Sequence, residues 1–176
     1  MEDERDILEE DKIEFQNDRK RPQLLVVVSV LSFINLGIGL LGTVFGLLGT
    51  KASSDEMEDS FLVLTELKNK FDDAGSEQMS VVFEQLKEVM LYTNEYYYFA
   101  LMISLIGIIA GLIGVSWMYK GKKNGFHLYI IYNLIAVFGL YMYVPSISVP
   151  MVSIITNSII AMIFILLYAK NLSWMK

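Results

Sequence analysis

Four long apolar runs cover about half of this 176-residue chain. None of them contains Asp, Glu, Lys or Arg, and they comprise residues 24–49, 97–119, 126–144 and 151–169. A helix rises about 1.5 Å per residue and the hydrocarbon core of a bilayer is about 30 Å thick, so each run is long enough to cross a membrane. The runs predict an all-α membrane protein built as a four-transmembrane-helix bundle.

Basic residues flank these runs unevenly. Positive charge next to a membrane helix marks its cytoplasmic end, and the residues that set topology or contact lipid headgroups are Arg19, Lys20, Arg21, Lys120, Lys122 and Lys123. The 50–96 segment instead carries eleven acids against four lysines. We therefore expect cytoplasmic locations for the acidic tail 1–23, the basic turn 120–125 and the tail 170–176. The 50–96 segment and the turn 145–150 then face outward.

The 50–96 segment has helical periodicity and predicts an outward-facing helical hairpin between spans one and two. Apolar residues recur at steps of three and four, which places them on one face of a helix. Ser53 and Ser54 suit a helix N-terminus, Gly75 suits a turn with positive φ, and Ser76 suits the cap of the next helix. The predicted helices are 55–71 and 77–95, and the second is expected to continue unbroken into span two as one helix from 77 to 119.

The apolar faces of this hairpin are candidate partner surfaces. Their residues are Met57, Phe61, Leu64, Phe71, Met79, Phe83, Leu86 and Met90. Two such faces can also bury each other, so only a face left free by the hairpin would bind a partner.

Two ladders of small residues follow helical spacing in the first two spans. In span one they are Ser32, Asn35, Gly39, Gly42, Gly46 and Gly49; in span two they are Ala100, Ser104, Gly107, Gly111 and Gly114. Small residues let helix backbones approach closely in lipid. We expect the ladders to face each other within one chain. The alternatives are a contact with another copy or subunit, and a glycine-lined pore.

Three asparagines lie within the apolar runs, and they are Asn35, Asn133 and Asn157. An amide in hydrocarbon requires hydrogen-bond partners, so these residues are interpreted as contacts between helices. The alternative is a polar cavity or substrate site. Asparagine does not titrate, so these residues do not indicate a proton path.

Residues for catalysis or metal binding are sparse. The chain has no cysteine and a single histidine, His127, which we interpret as an interfacial residue. A lone histidine lacks the partners that a metal site or a nucleophilic dyad requires. The sequence therefore predicts no catalytic, cofactor-binding or metal site, no nucleic-acid partner, and a function other than catalysis.

Residues 117–129, Trp-Met-Tyr-Lys-Gly-Lys-Lys-Asn-Gly-Phe-His-Leu-Tyr, form a basic turn between spans two and three. This turn resembles that of small, uncharacterised four-span membrane proteins of bacteria, especially those of Bacteroidota. The resemblance implies a location in the bacterial inner membrane. It supplies no functional residues.

These features favour a non-enzymatic interaction protein, an accessory or scaffold subunit of a larger inner-membrane assembly. Its expected partners are the lipid bilayer and another protein in the membrane or periplasm. One alternative is a small homo-oligomeric transporter or channel with a path lined by asparagine. A second alternative is a sensor that couples the outer hairpin to the cytoplasmic side.

Overall fold

The computed structural model describes residues 21–176, and every regular element in that part of the chain is helical. The expectations for the acidic tail, Arg19 and Lys20 fall on residues 1–20 and so lie outside the described residues. In chain order the α-helices are α1 (Gln23–Leu48), α2 (Ser54–Asp73), α3 (Glu77–Glu95), α4 (Tyr97–Tyr119), α5 (Asn124–Phe138) and α6 (Met151–Ala169). Two short 3-10 helices, Gly139–Met142 and Ser146–Ser148, lie between α5 and α6.

Four helical segments are long and apolar enough to cross a membrane, and they indicate a multi-pass membrane protein. They are α1, α4, α5 together with the 3-10 helix that follows it, and α6. The third segment ends at Met142, two residues before the end of the apolar run. Pro145 follows, and a residue that precedes proline is disfavoured in the α conformation. This restriction applies to Val144 and keeps the helix from continuing to the end of the run.

The helix α2 begins with the cap that the sequence predicts. Ser53 Oγ accepts a hydrogen bond from the Glu56 amide at 3.3 Å, and the Glu56 carboxylate accepts one from the Ser53 amide at 2.8 Å. Two free amides of the first turn are thereby satisfied, so the prediction for Ser53 is confirmed. The positive φ predicted for Gly75 is also confirmed, at 76°. Ser76 lies at the N-cap position of α3, as predicted, but its side chain makes no capping hydrogen bond.

The helices α2 and α3 pack against each other along their apolar faces. The rings of Phe71 and Phe83 are 5.5 Å apart, and Lys68 Nζ lies 2.7 Å from Glu84 Oε1. Met57 and Phe83 are buried, and the other six residues of the candidate partner faces are half-buried. The exposed large apolar side chains of these helices are different ones, namely Leu62, Val63, Leu67, Val81 and Leu91. The two candidate partner faces therefore pack largely against each other within the chain, which is the alternative that the sequence left open.

The helix predicted from 77 to 119 is interrupted at one residue, so the expectation of a single helix is wrong. Tyr96 has φ −97° and ψ 32°, outside the α-helical range, and it separates α3 from α4. Hydrogen bonds continue on both sides, from the Tyr96 amide to Tyr92 O at 2.8 Å and from the Ala100 amide to Tyr96 O at 2.9 Å. The segment from 77 to 119 is therefore two helices, α3 and α4, that meet at Tyr96.

The membrane helices pack unequally. The closest pair is α4 with α5, while α1 packs on α4, and α6 packs on α5 and more sparsely on α1. The core lies at the end of the bundle near the 120–125 turn, where Leu25, Val115, Met118 and Tyr168 are fully buried. Most of α6 is exposed, because only 6% of its most apolar stretch is buried within the structure. Much of α6 is therefore free to contact lipid or another protein.

Candidate functional site: a polar cleft between membrane helices

The α4 ladder of small residues faces α5 more than α1. A Cβ atom added at Gly114 would lie 2.9 Å from Gly125 O and 2.9 Å from the Tyr129 amide nitrogen. One at Gly107 would lie 3.0 Å from the Ile135 side chain. At Gly114 the backbones of α4 and α5 therefore approach each other directly, whereas at Gly107 the Ile135 side chain of α5 fills the space. The expectation that the ladders of α1 and α4 face each other is wrong for Gly107 and Gly114.

Only part of the α1 ladder contacts α4. A Cβ atom at Gly46 would lie 2.8 Å from the Leu101 side chain, and one at Gly39 would lie 3.4 Å from Ile108. Gly49 lies near the Tyr97 hydroxyl, which donates a hydrogen bond to Gly46 O at 2.7 Å. Gly42 is exposed and has no neighbouring atom within 4 Å of an added Cβ.

On α4, Gly111 contacts both neighbouring helices, through Leu36 of α1 and Tyr132 of α5. Ser104 is exposed.

The three intramembrane asparagines line one cleft between α1, α5 and α6. The cleft has a volume of about 360 Å³. Its polar lining residues are Ser32, Asn35, Tyr129, Tyr132, Asn133 and Asn157. Its apolar walls include Leu36 of α1 and Phe164 of α6. Residues from three separate helices are thus brought together around a polar space within the apolar segments.

Buried hydroxyl groups close one end of this cleft. Tyr168 Oη lies 3.0 Å from Ser32 Oγ and donates to it, and Ser32 Oγ lies 3.4 Å from Tyr129 Oη. The rings of Tyr129 and Tyr168 pack edge to face with centroids 4.7 Å apart. Below this layer, Leu25 and Val28 are buried. The cleft therefore ends in a packed core and does not continue towards the 120–125 turn.

The three amides differ in how they are satisfied. Asn133 donates to Tyr129 O of its own helix at 2.7 Å, and Asn35 donates to Tyr132 Oη at 3.2 Å. Asn157 is exposed, and within residues 21–176 its side chain makes no hydrogen bond. Hydrocarbon offers no hydrogen bonds, so an unpaired amide there is unfavourable by several kcal/mol. Asn157 is therefore the position in the cleft that most requires a partner.

The tyrosines of the cleft were not predicted from the sequence. These tyrosines are Tyr129 and Tyr132. Both residues and Asn133 lie on α5, and a spacing of three places Tyr129 and Tyr132 on the same side of a helix. Two hydroxyls and an amide on one side of an apolar helix are the signal that could have identified this site.

Groups suited to catalysis or metal binding are scarce in the described part of the chain. Within residues 21–176, no three His, Asp or Glu side chains lie close enough to hold a metal ion. His127 is exposed beside Phe126, with ring centroids 6.4 Å apart. Arg21, Lys120, Lys122 and Lys123 are exposed at the end of the bundle opposite α2 and α3. The cleft itself offers amides and hydroxyls, which bind ligands by hydrogen bonding.

No family model, curated protein or solved structure matches this chain.

Proposed function

We propose that this chain is a non-enzymatic membrane interaction protein that binds a transmembrane helix of another protein at the cleft between α1 and α6. In this role it is an accessory or scaffold subunit of a larger inner-membrane assembly. The partner helix is apolar and carries a Ser, Thr, Asn or Gln that pairs with Asn157. Interhelical hydrogen bonds of this kind stabilise helix association in lipid by about 0.6–2 kcal/mol.

The exposed amide of Asn157 is the observation that carries this proposal. It lies on the least covered membrane helix, beside a cleft that already contains two other amides. Lipid chains leave such a group unsatisfied, whereas a partner helix with a polar side chain satisfies it. The same partner would cover Ile160 and the other apolar residues of α6 that line the cleft.

The proposal includes the arrangement in the membrane. We propose a four-helix membrane bundle with both termini cytoplasmic, in the inner membrane of a bacterium, and with α2 and α3 as an outward-facing hairpin. Support comes from contacts between α3 and the segments that connect the spans at this end. Gln85 Nε2 donates to Ile147 O at 2.9 Å, and Asn94 Oδ1 accepts from the Ala52 amide at 2.8 Å. Support for the orientation comes from the basic residues at the other end of the bundle.

A homo-oligomeric transporter or channel is the second candidate, and the shared lining of the three asparagines is the observation that favours it. Within one described chain, two features oppose a continuous path. The cleft ends at the layer of Ser32, Tyr129 and Tyr168. On another side the Tyr132 ring separates it from a second cavity of about 330 Å³ between α1, α4 and α5. A path would therefore have to run between copies.

Copurification from the native membrane in a mild detergent tests the proposal, with the tagged chain as bait. A foreign membrane protein should be retained in stoichiometric amount by the unmodified chain. Asn157→Leu should lose it, because the amide that pairs with the partner is gone. Thr156→Val is the matched control, since Thr156 is an exposed polar residue next to Asn157 that does not line the cleft.

Two results contradict the proposal. Equal retention of the partner by both variants would show that Asn157 does not bind it. A stable homo-oligomer without a foreign subunit, with ion flux in vesicles that is lost in Asn133→Leu, would favour the channel instead.

A further inference from the structure

Six exposed basic side chains lie at the end of the bundle where α1 begins and where α4 and α6 end. They are Arg21, Lys120, Lys122, Lys123, Lys170 and Lys176. We call this set the basic surface. Each residue lies next to the end of an apolar span or in the segment between two spans, so the basic surface lies at the level of the lipid headgroups. Its position depends on the spans alone and is independent of the proposed function.

The residues after α6 fold back and complete this surface. The Lys176 amide donates to Gly121 O at 2.7 Å, and the Lys123 amide donates to Lys176 O at 2.9 Å. Met175 is buried, and the Trp174 ring covers Gly121 closely enough that an added Cβ there would lie 3.3 Å from it. These contacts hold Lys176 beside Lys122 and Lys123. The sequence shows two separate basic segments here, and the fold joins them.

Arg21 is fixed to the same surface from the opposite side. Its guanidinium carbon lies 4.3 Å from the centroid of the Tyr119 ring, within the range of a cation–π contact. Tyr119 directly precedes Lys120, so the guanidinium is held beside the turn. An arginine guanidinium presents a planar set of donors that matches the oxygens of a phosphate group.

Asp and Glu side chains are absent from this end of the described chain. Every Asp and Glu in residues 21–176 lies between Asp55 and Glu95. The three ion pairs of the described residues are likewise confined to α2 and α3. The positive charges of the basic surface therefore have no Asp or Glu side chain of the described residues beside them, and they can attract anions of the membrane surface.

We propose that the basic surface is a binding site for the phosphate headgroup of an anionic phospholipid. Phosphatidylglycerol is the probe that we would use. Lys122, Lys123 and Lys176 form one side of the site and Arg21 the other, while the aromatic residues beside them anchor the protein at the interface. Preference for an anionic lipid over a zwitterionic one is the property that this arrangement should confer.

Tryptophan fluorescence provides a local readout. The chain has two tryptophans, Trp117 and Trp174, and both lie at this end of the bundle. The full-length chain is reconstituted in phosphatidylcholine vesicles that contain increasing fractions of a brominated lipid, either phosphatidylglycerol or phosphatidylcholine. Bromine quenches the fluorescence when the lipid is bound nearby. We expect brominated phosphatidylglycerol to bind roughly tenfold more strongly than brominated phosphatidylcholine.

Paired variants test whether the basic surface causes this preference. Lys122→Gln/Lys176→Gln should bring the ratio of the two binding constants close to one. Lys51→Gln/Lys70→Gln changes the net charge equally at the other end of the bundle, where both lysines are exposed, and should leave the ratio unchanged. Inorganic phosphate at constant ionic strength should also leave the ratio unchanged.

Three results would overturn the proposal. Equal quenching by the two lipids would do so, and is expected if residues 1–20, which contain nine carboxylates, occupy the basic surface instead. Equal loss of preference in both paired variants would assign the effect to net charge. A ratio that falls when inorganic phosphate is added would identify a site for the free anion.

Discussion

At the scale of the residue, Gly114 and Gly42 should respond differently to the same substitution. A methyl group at Gly114 meets the backbone of α5 at 2.9 Å, and that backbone cannot move as a side chain can. Overpacking of this kind is unfavourable by about 1–3 kcal/mol, so Gly114→Ala should lower the midpoint of thermal unfolding in detergent. A methyl group at Gly42 meets nothing within 4 Å.

Gly42→Ala is the matched control for this prediction. Alanine favours a helix interior over glycine by about 1 kcal/mol, so the variant should unfold at the same temperature as the unmodified chain or slightly higher. Similar decreases in both variants would contradict the packing of α4 on α5 described above.

The same two residues show what a residue pattern can predict. A ladder of small residues indicates that another helix approaches closely on that side. The spacing of the ladder predicts which residues share that side of the helix. The identity of the neighbour depends on the helix that packs there, which the ladder does not encode. For Gly114 that neighbour is Gly125 of α5, an isolated glycine that belongs to neither ladder. Ser53 differs, because an N-terminal cap depends on residues only three positions apart.

At the scale of the element, the stability of the α2–α3 pair should depend on pH through Glu84. Lys68 donates a hydrogen bond to Glu84 Oε1 at 2.7 Å, and this contact chiefly lowers the pKa of the Glu84 carboxyl below its ordinary 4.5. The same contact raises the pKa of Lys68. The stabilisation is therefore present at neutral pH. It is lost as the pH falls through the lowered pKa of Glu84, and again in strong alkali as Lys68 loses its proton.

Glu84→Gln should lower the thermal midpoint at pH 7 by about 1–2 °C, because the pair is largely exposed and surface ion pairs contribute little. As the pH falls through the lowered pKa of Glu84, the difference from the unmodified chain should shrink and then disappear. Glu88→Gln is the control, since within residues 21–176 Glu88 makes no ion pair. Circular dichroism in detergent measures each midpoint along an acid pH series, and a difference that does not shrink along it would refute the assignment to this ion pair.

The bounds of the elements show where periodicity succeeds and where it fails. The apolar runs correspond to α1, α4 and α6 within two residues, because long uncharged segments leave few alternatives in a membrane. The break at Tyr96 has no glycine or proline to mark it. The contact beside it, from the Tyr97 hydroxyl to Gly46 O of α1, joins residues 51 positions apart. Local sequence does not predict contacts of this kind.

At the scale of the whole molecule, the cleft follows from unequal packing rather than from any one motif. The sequence predicts three amides within the spans, but their meeting in one cleft requires α6 to contact the bundle mainly at one end. Tyr168 and Ser32 fix that contact, 136 positions apart in the chain. Contacts between residues so far apart in the chain depend on which helices become neighbours. The spacing of residues within one helix does not indicate its neighbours.

Orientation in the membrane is a further property of the whole molecule, and single cysteines can measure it because the chain contains none. Three exposed positions serve, and they are Asp73 at the end of α2, Ser146 in the short turn before α6, and Ser173 near Trp174. A membrane-impermeant maleimide should label Asp73→Cys and Ser146→Cys in intact cells. It should label Ser173→Cys only after the membrane is opened, because in the orientation that we propose from the basic residues this end lies in the cytoplasm. Labelling of Ser173→Cys in intact cells would reverse the orientation. Labelling of Asp73→Cys but not Ser146→Cys would instead contradict four crossings, since α5 must cross the membrane for the turn at Ser146 to lie outside.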